Sequence, residues 1–434
     1  MLLPLLAAVA LAEPALSVPY EMYTLDNGLT VILAEDHSVP VVQVNIWYHV
    51  GSRDEVVGRT GFAHLFEHLM FQGSLHNAQD YFKPLQEIGA EVNGTTNLDR
   101  TNYFEGVPAH YLPLALWGEA DRMGYLLDVM DEERLANQKD VVRNERRQRY
   151  ENRPYGTAWI TLLESVFPEN HPYHHATIGY HADLEAATLD DVKGFFRTWY
   201  VPNNASLVVC GDFDPAVAKS LVQLYFGGIP AGAEPPLTQS APFTLSEEKV
   251  IRQVEKGVPH HKVWIAWPSP AVLSPGDAEL DLLSAVLSDG KDSRLVQSLV
   301  VDTQIATEIS AYQSSFDLAS MFIIEATASK GHTTDQIVVA VDRVLADIRA
   351  NGPTAEEIAV GIVNYEATYV NMLGTVGGKA NLLNSYYHAR GEPDSFAWDL
   401  ARYGAVTPEA VRDTAKQVLG DGRVVLHIGP EVTP

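Results

Sequence analysis

The chain has 434 residues, 46% of them apolar, which is more than one core of about 250–300 residues holds and points to two or three domains. Its 30 Lys and Arg against 56 Asp and Glu leave a formal charge of −26, which excludes a nucleic-acid partner because phosphate contacts need a basic surface. The same acidity suits basic peptides if it lines a cavity, and otherwise serves solubility.

Residues 1–18 open on an apolar run that ends in Ala10-Leu11-Ala12 before Glu13. The run reads as a signal-peptide core with its cleavage site, although no Lys or Arg precedes it. Export to a periplasmic compartment is the expectation, with a cytoplasmic location as the alternative. A bilayer span needs about 20 apolar residues, and neither this run nor any later one reaches that length, so no integral membrane segment is expected.

β-branched residues and alternation predict strands over 30–34 and 41–49. Helical spacing predicts helices near 63–71, 78–88, 111–128 and 132–152, with Pro154 stopping the last from beyond. Leu207-Val208-Val209-Cys210 reads as a buried strand, with the single cysteine as a small core hydrophobe that can form no intrachain disulfide. Strands and helices mix without a strict βαβ rhythm, which predicts the α+β class with mostly antiparallel sheet. A Gly- and Pro-rich stretch through Gly227-Gly228-Ile229-Pro230 and Glu234-Pro235-Pro236 reads as a linker. The expected plan is a catalytic domain over 19–230, a linker over 231–245 and a second domain over 246–434.

The two halves end alike. Ala187-Thr188-Leu189 opens a helix that is followed by a turn and the apolar strand at Leu207. Val406-Thr407-Pro408 opens another, followed by Val424-Val425-Leu426. Both place a Thr at a helix N-cap, so the halves are expected to be duplicated, homologous domains.

The chemistry concentrates in His64-Leu65-Phe66-Glu67-His68. On a helix, residues i and i+4 share a face, so His64 and His68 can aim both imidazoles at one metal. Glu67 flanks that face and can act on a water as general base. Phe62, Leu65, Phe66 and Leu69 occupy the opposite face and would pack into the core, and Gly73 suits a helix C-terminus. Zinc fits such a donor set, because it leaves a position open for water and lowers the pKa of that water to about 7.

The order His-x-x-Glu-His inverts the commoner metallopeptidase motif. Around it stand Leu25-Asp26-Asn27-Gly28-Leu29, Gly51-Ser52-Arg53-Asp54-Glu55 and Phe71-Gln72-Gly73-Ser74. Further on come Gly89-Ala90-Glu91-Val92-Asn93-Gly94-Thr95-Thr96, Val141-Val142-Arg143-Asn144-Glu145-Arg146-Arg147 and His171-Pro172-Tyr173. On these segments the chain resembles the pitrilysin-type (M16) zinc metallopeptidases, in particular their zinc-bearing, processing-peptidase-like subunits. The resemblance implies two homologous domains of mostly antiparallel sheet packed with helices, the LuxS/MPP-like metallohydrolase fold. It also implies one zinc per chain and cleavage of unfolded peptides in an enclosed chamber.

In that family a Glu about 76 residues beyond the second His completes the site, and the count lands on Glu145. Taken alone, Glu145 would be a solvated helix residue paired with Arg149 at i+4. By the same resemblance Asn93 and Gly94 contact substrate backbone, whereas the bare dipeptide reads as a hairpin turn. Phe71 lines a substrate pocket or belongs to the core.

Two departures stand out. Where the family carries a second, supporting Glu seven residues before Glu145, this chain has Gln138, which can hydrogen-bond but carries no charge. Self-sufficient members carry an Arg and a Tyr seven residues apart in the C-terminal half. The matching segment, anchored by Ser293-Arg294-Leu295, has Val300 and Thr307 in those places. Neither can stabilise an oxyanion as the pair would. The resemblance thus implies a heterodimer with a homologous subunit that lacks zinc ligands but carries the Arg/Tyr pair, with a homodimer as the alternative. Arg294 is expected to be structural.

Overall fold

The computed structural model describes residues 16–77 and 81–431. The apolar run and its Ala10-Leu11-Ala12 site lie outside them. The N-terminal half runs β1 (Glu21–Thr24), β2 (Thr30–Glu35), β3 (Val41–Tyr48), α1 (Phe62–Leu69), α2 (Phe82–Gln86), β4 (Glu91–Thr96) and β5 (Thr101–Pro108). It continues through α3 (Leu112–Tyr125), α4 (Glu132–Arg146), α5 (Ala158–Val166), α6 (His181–Ala186), α7 (Leu189–Trp199), β6 (Ala205–Gly211) and α8 (Pro215–Phe226). No helix or strand interrupts the chain between α8 and β7 (Lys249–Glu255). The C-terminal half then adds β8 (Lys262–Ser269), α9 (Asp277–Ser288), β9 (Ala306–Ser314) and β10 (Ser320–Ala328). It closes with α10 (Thr334–Asn351), α11 (Ala355–Leu373), α12 (Val376–Arg390), α13 (Phe396–Gly404), α14 (Pro408–Val418) and β11 (Val424–Pro430).

The fold is two-domain α+β, and the repeat is visible in the sheets. The first sheet has the order β1-β2-β6-β3-β5-β4 and the second β7-β11-β8-β10-β9. In both, one pair is parallel (β2 with β6, β7 with β11) and all the others are antiparallel. Strand for strand the sheets correspond, the first having β1 as an added edge. The helix-opening threonines correspond too: the Thr188 hydroxyl accepts from the Asp191 N–H, and the Thr407 hydroxyl from that of Ala410.

Helices cross over between the halves. α5 lies against β8 and β11 of the second sheet, while α12 lies against β3 and β6 of the first. Central strands are therefore covered on both faces. That is why β2 is buried along nearly its whole length and β6 throughout, Cys210 included, and why they read as continuous apolar runs. β4, in contrast, is a half-exposed edge strand.

Four expected boundaries move. The helix expected at 63–71 ends at Leu69, and i→i+3 bonds from Phe71 N–H to His68 (3.2 Å) and from Gln72 N–H to Leu69 (3.0 Å) carry the chain to Gly73. The helix expected at 78–88 spans only Phe82–Gln86, because Pro84 has no N–H for a preceding turn and Gly89 takes φ 76° just beyond; residues 78–80 lie outside the described ones. The 111–128 expectation settles at Leu112–Tyr125. The 132–152 expectation keeps its helix to Arg146 and then widens into a π turn over Arg147–Glu151, closed by the Asn152 N–H on the Arg147 carbonyl at 2.7 Å.

Candidate active site

α1 is held by its first turn. Its N-cap, Gly61, sits at φ 87°, and a Cβ there would meet the Ile178 carbonyl at 2.9 Å. The orphan amides of the turn are met by a distant carboxylate. Glu55 accepts from the N–H groups of Gly61 and Ala63, both at 2.8 Å, and contacts His175 Nε2 at 2.9 Å. This carboxyl group is fully buried at the positive end of the helix, and burial raises it above its usual range against the bonds from His175, Ala63 and Gly61. Phe62, Leu65, Phe66 and Leu69 are buried as the spacing predicts, which turns His64 and His68 to the other side.

There they meet α4. His68 Nε2 lies 3.0 Å and His64 Nε2 3.7 Å from the same oxygen of Glu145. Among the described residues these three form the only group of at least three His, Cys, Asp or Glu side chains whose ligand atoms all lie within 4.8 Å of one another. The other Glu145 oxygen takes a 2.8 Å bond from Arg149, so both readings of Glu145 coexist.

His64 and Glu145 are shifted toward the protonation states a metal needs. Burial, with His68 beside it, pushes the His64 imidazole down to about 4, so it is neutral. Burial raises Glu145, but the hydrogen bond from His68, the neighbouring imidazoles and the Arg149 charge outweigh this and hold it below the ordinary carboxylate range. Two imidazoles and one carboxylate match the donor set of a catalytic zinc site. The residues present fit the group.

Glu67 stands beside this cluster. Thr96, at the end of β4, donates to its Oε2 at 2.6 Å. Burial raises the Glu67 carboxyl above its usual range, against the Thr96 bond and the neighbouring His68. A carboxylate raised toward neutrality is suited to taking and returning a proton. All four side chains open on one cavity of about 720 Å³, whose walls come from residues between His64 and Ile178.

Asn93 and Gly94 are not a turn. They lie within β4, opposite Phe104 and Tyr103 of β5, and their side of the strand lines the cavity. The turn falls later, where the Asn97 side chain accepts from the amides of Asp99 and Arg100, both at 2.8 Å. Phe71 lines the cavity and is half-buried, stacked on Phe82 with centroids 4.5 Å apart. Gln138 is buried and lines the cavity two turns before Glu145. Three contributors were missed in the sequence: Thr96, Glu55 and His175. Their partners are at least 6 residues away in the chain, and no local pattern marks them.

A Cβ on Gly94 would stand 3.1 Å from Phe71 Cε2 and 3.2 Å from Glu67 Cγ. Gly94→Val is therefore expected to displace both and lower kcat/KM by about 100-fold with zinc retained, as a misplacement of about 1 Å does. Steady-state kinetics on Gly94→Ala and Gly94→Val checks this, with Ala falling in between; wild-type kinetics for Val would contradict it.

In the C-terminal half Arg294 is structural as expected, binding Glu357 at 2.7 and 2.8 Å and Asp347 at 2.9 Å. Val300 packs at the edge of the second core, and the Thr307 hydroxyl approaches the Thr327 carbonyl.

The chain is similar to known proteins over most of its length. Residues 30–176 match the family model described as Insulinase (Peptidase family M16), and residues 186–362 match that described as Peptidase M16 inactive domain. The zinc protease PqqE of Helicobacter pylori is 28% identical over 375 residues, covering 85% of this chain and 83% of its own. The mitochondrial-processing peptidase subunit beta of Lentinula edodes is 23% identical over 322 residues, covering 71% of this chain and 65% of its own. A solved structure of a protease from Helicobacter pylori, 25% identical, superposes with a TM-score of 0.87 over 95% of this chain and 100% of that one. Two models of one family, covering well over half of the 434 residues between them, show that this chain belongs to the M16 peptidase family.

Proposed function

We propose that the chain is a zinc-dependent endopeptidase that takes one zinc on His64, His68 and Glu145 and cleaves extended, unfolded peptides. The observation that carries this reading is the convergence of those three side chains and Glu67 on one cavity beside the open edge of β4. A bound zinc supplies Lewis acidity toward a peptide carbonyl and makes water more acidic. Glu67 takes the proton from the attacking water and returns it to the departing amine, while Thr96 fixes one of its oxygens. The open edge of β4 offers main-chain groups to which a substrate adds as a further strand. The Gly94 N–H, bonded at 2.9 Å to the side chain of Asn93, is one such group. Phe71 and Phe82 give an apolar wall for a substrate side chain. The net charge of −26 favours basic peptides.

The same reading includes a partner. No described residue of the C-terminal half lines this cavity, and Val300 and Thr307 offer neither a charged nor a phenolic donor to a developing oxyanion. A homologous subunit without zinc ligands supplies that donor in a heterodimer; a homodimer is the alternative. No helix of the described residues is long and apolar enough to cross a membrane.

The test is cleavage of a quenched, unstructured basic peptide by the purified chain, alone and co-expressed with such a homologue. Activity should vanish with a chelator, return with zinc and rise with the homologue. Chelator-resistant cleavage would contradict the zinc reading, and full activity alone would reject the two-chain reading.

A further inference from the structure

We propose that Asp317 and His388, from the half of the chain that carries none of the metal-site side chains, are positioning residues for the β4–β5 hairpin. The inference rests on the reading of β4 as the peptide-binding edge.

The hairpin turn, Asn97 to Arg100, is gripped through Asp99, which is almost fully buried. Arg53 Nη1, in the loop after β3, donates to Asp99 Oδ1 at 2.9 Å and to Asp317 Oδ2 at 2.6 Å. Asp317 lies between β9 and β10, and its own N–H reaches the second Asp99 oxygen at 3.3 Å. Tyr173 donates its hydroxyl to Asp99 and accepts the N–H of Leu318 at 2.9 Å. Behind Asp317 stands His388 of α12, with Nε2 at 2.9 Å. The other side of the His388 ring touches His49 Nδ1 at 2.7 Å and tilts against Trp47.

From Asp99 the contacts run on into the strand. Arg100 lies over the Trp47 ring, 4.9 Å from its centroid, and donates to the Thr95 carbonyl at 2.9 Å. Thr95 is next to Thr96, which holds Glu67. Polar contacts, joined through the chain at Asp99-Arg100 and Thr95-Thr96, thus run from the β9–β10 loop and α12 to β4.

Burying two carboxylates, a guanidinium and two imidazoles is expensive, and such a network is weak evidence of stability. What it does supply is a defined geometry between the parts it joins. The parts joined here are an open edge strand, which has no outer neighbour to hold it, and the second domain, whose contacts fix where that edge lies. A hairpin released from this hold keeps its metal site, which is built on α1 and α4, but presents β4 less well to a peptide.

The experiment uses the full chain, with the homologous subunit if activity requires it, and the variants Asp317→Ala and His388→Gln. Amide hydrogen exchange of the unliganded protein is read over β4, and KM and kcat are read on the peptide at a temperature where both variants are folded. The expected result is faster exchange over 91–97 with α1 and α4 unchanged, and a KM raised about tenfold with kcat within about twofold and full zinc content. Asp317→Asn, which keeps an acceptor for Arg53, should recover part of the loss. A fall in kcat that merely tracks the folded fraction, with KM and β4 exchange unchanged, would reduce the network to a structural role and overturn the proposal. A wild-type chain without peptidase activity would sink the functional reading instead, and the exchange result would still decide whether Asp317 and His388 hold the hairpin.

Discussion

Glu67→Gln is expected to lower kcat by about 10²- to 10⁴-fold while leaving the zinc content of the protein unchanged. The substitution keeps the shape of the side chain and an oxygen that can accept the 2.6 Å bond from Thr96. It removes the one property the proposed chemistry needs, a carboxylate that gains and loses a proton. The two halves of the result must be read together. Lost activity with lost zinc would make Glu67 a structural support of the metal site, and retained activity would end its assignment as the base. Stopped-flow or steady-state kinetics with parallel metal analysis checks both.

The second large effect is expected at Glu145. Its replacement by Gln should weaken zinc binding by more than the 10- to 100-fold that disturbing a ligand's hydrogen-bonding partner usually costs, and should abolish cleavage at limiting zinc. Magnitudes separate this from the bland reading. If Glu145 did no more than pair with Arg149, whose side chain is 70% exposed, the change would cost about 0–1 kcal/mol of stability and leave metal affinity alone. If it completes the site with His64 and His68, the variant also loses the stabilisation that bound zinc lends the folded state. Competition titration with a zinc chelator, alongside thermal melts with and without added zinc, distinguishes the two.

The site was legible to different depths. His64, Glu67 and His68 could be placed from spacing alone, since four residues span one helical turn and the apolar residues between them fix which way the imidazoles face. Glu145 had no such local signal; only the resemblance to a family pointed to it, and the fold then brought α4 to within 3.0 Å of His68. The duplication was legible in its helix-opening threonines, and the matching order of the two sheets goes beyond what those threonines showed. Glu55 was out of reach, because a carboxylate that caps a helix from outside it leaves no pattern in the helix's own sequence. The crossing of α5 and α12 onto the opposite sheets was equally hidden, since periodicity tells which face of a helix is buried and not against what. Asn93-Gly94 has strong turn chemistry and is nevertheless in a strand. The side chain of Asn97 made the better turn three residues on, and the pairing of β4 with β5 absorbed the dipeptide.

Crystals of the zinc-loaded protein, measured on either side of the zinc absorption edge, test the central claim most directly. The account predicts one anomalous peak per chain, bonded to His64, His68 and Glu145 at the edge of the cavity below β4. A peak elsewhere, or a site to which Glu145 contributes no bond, would contradict it.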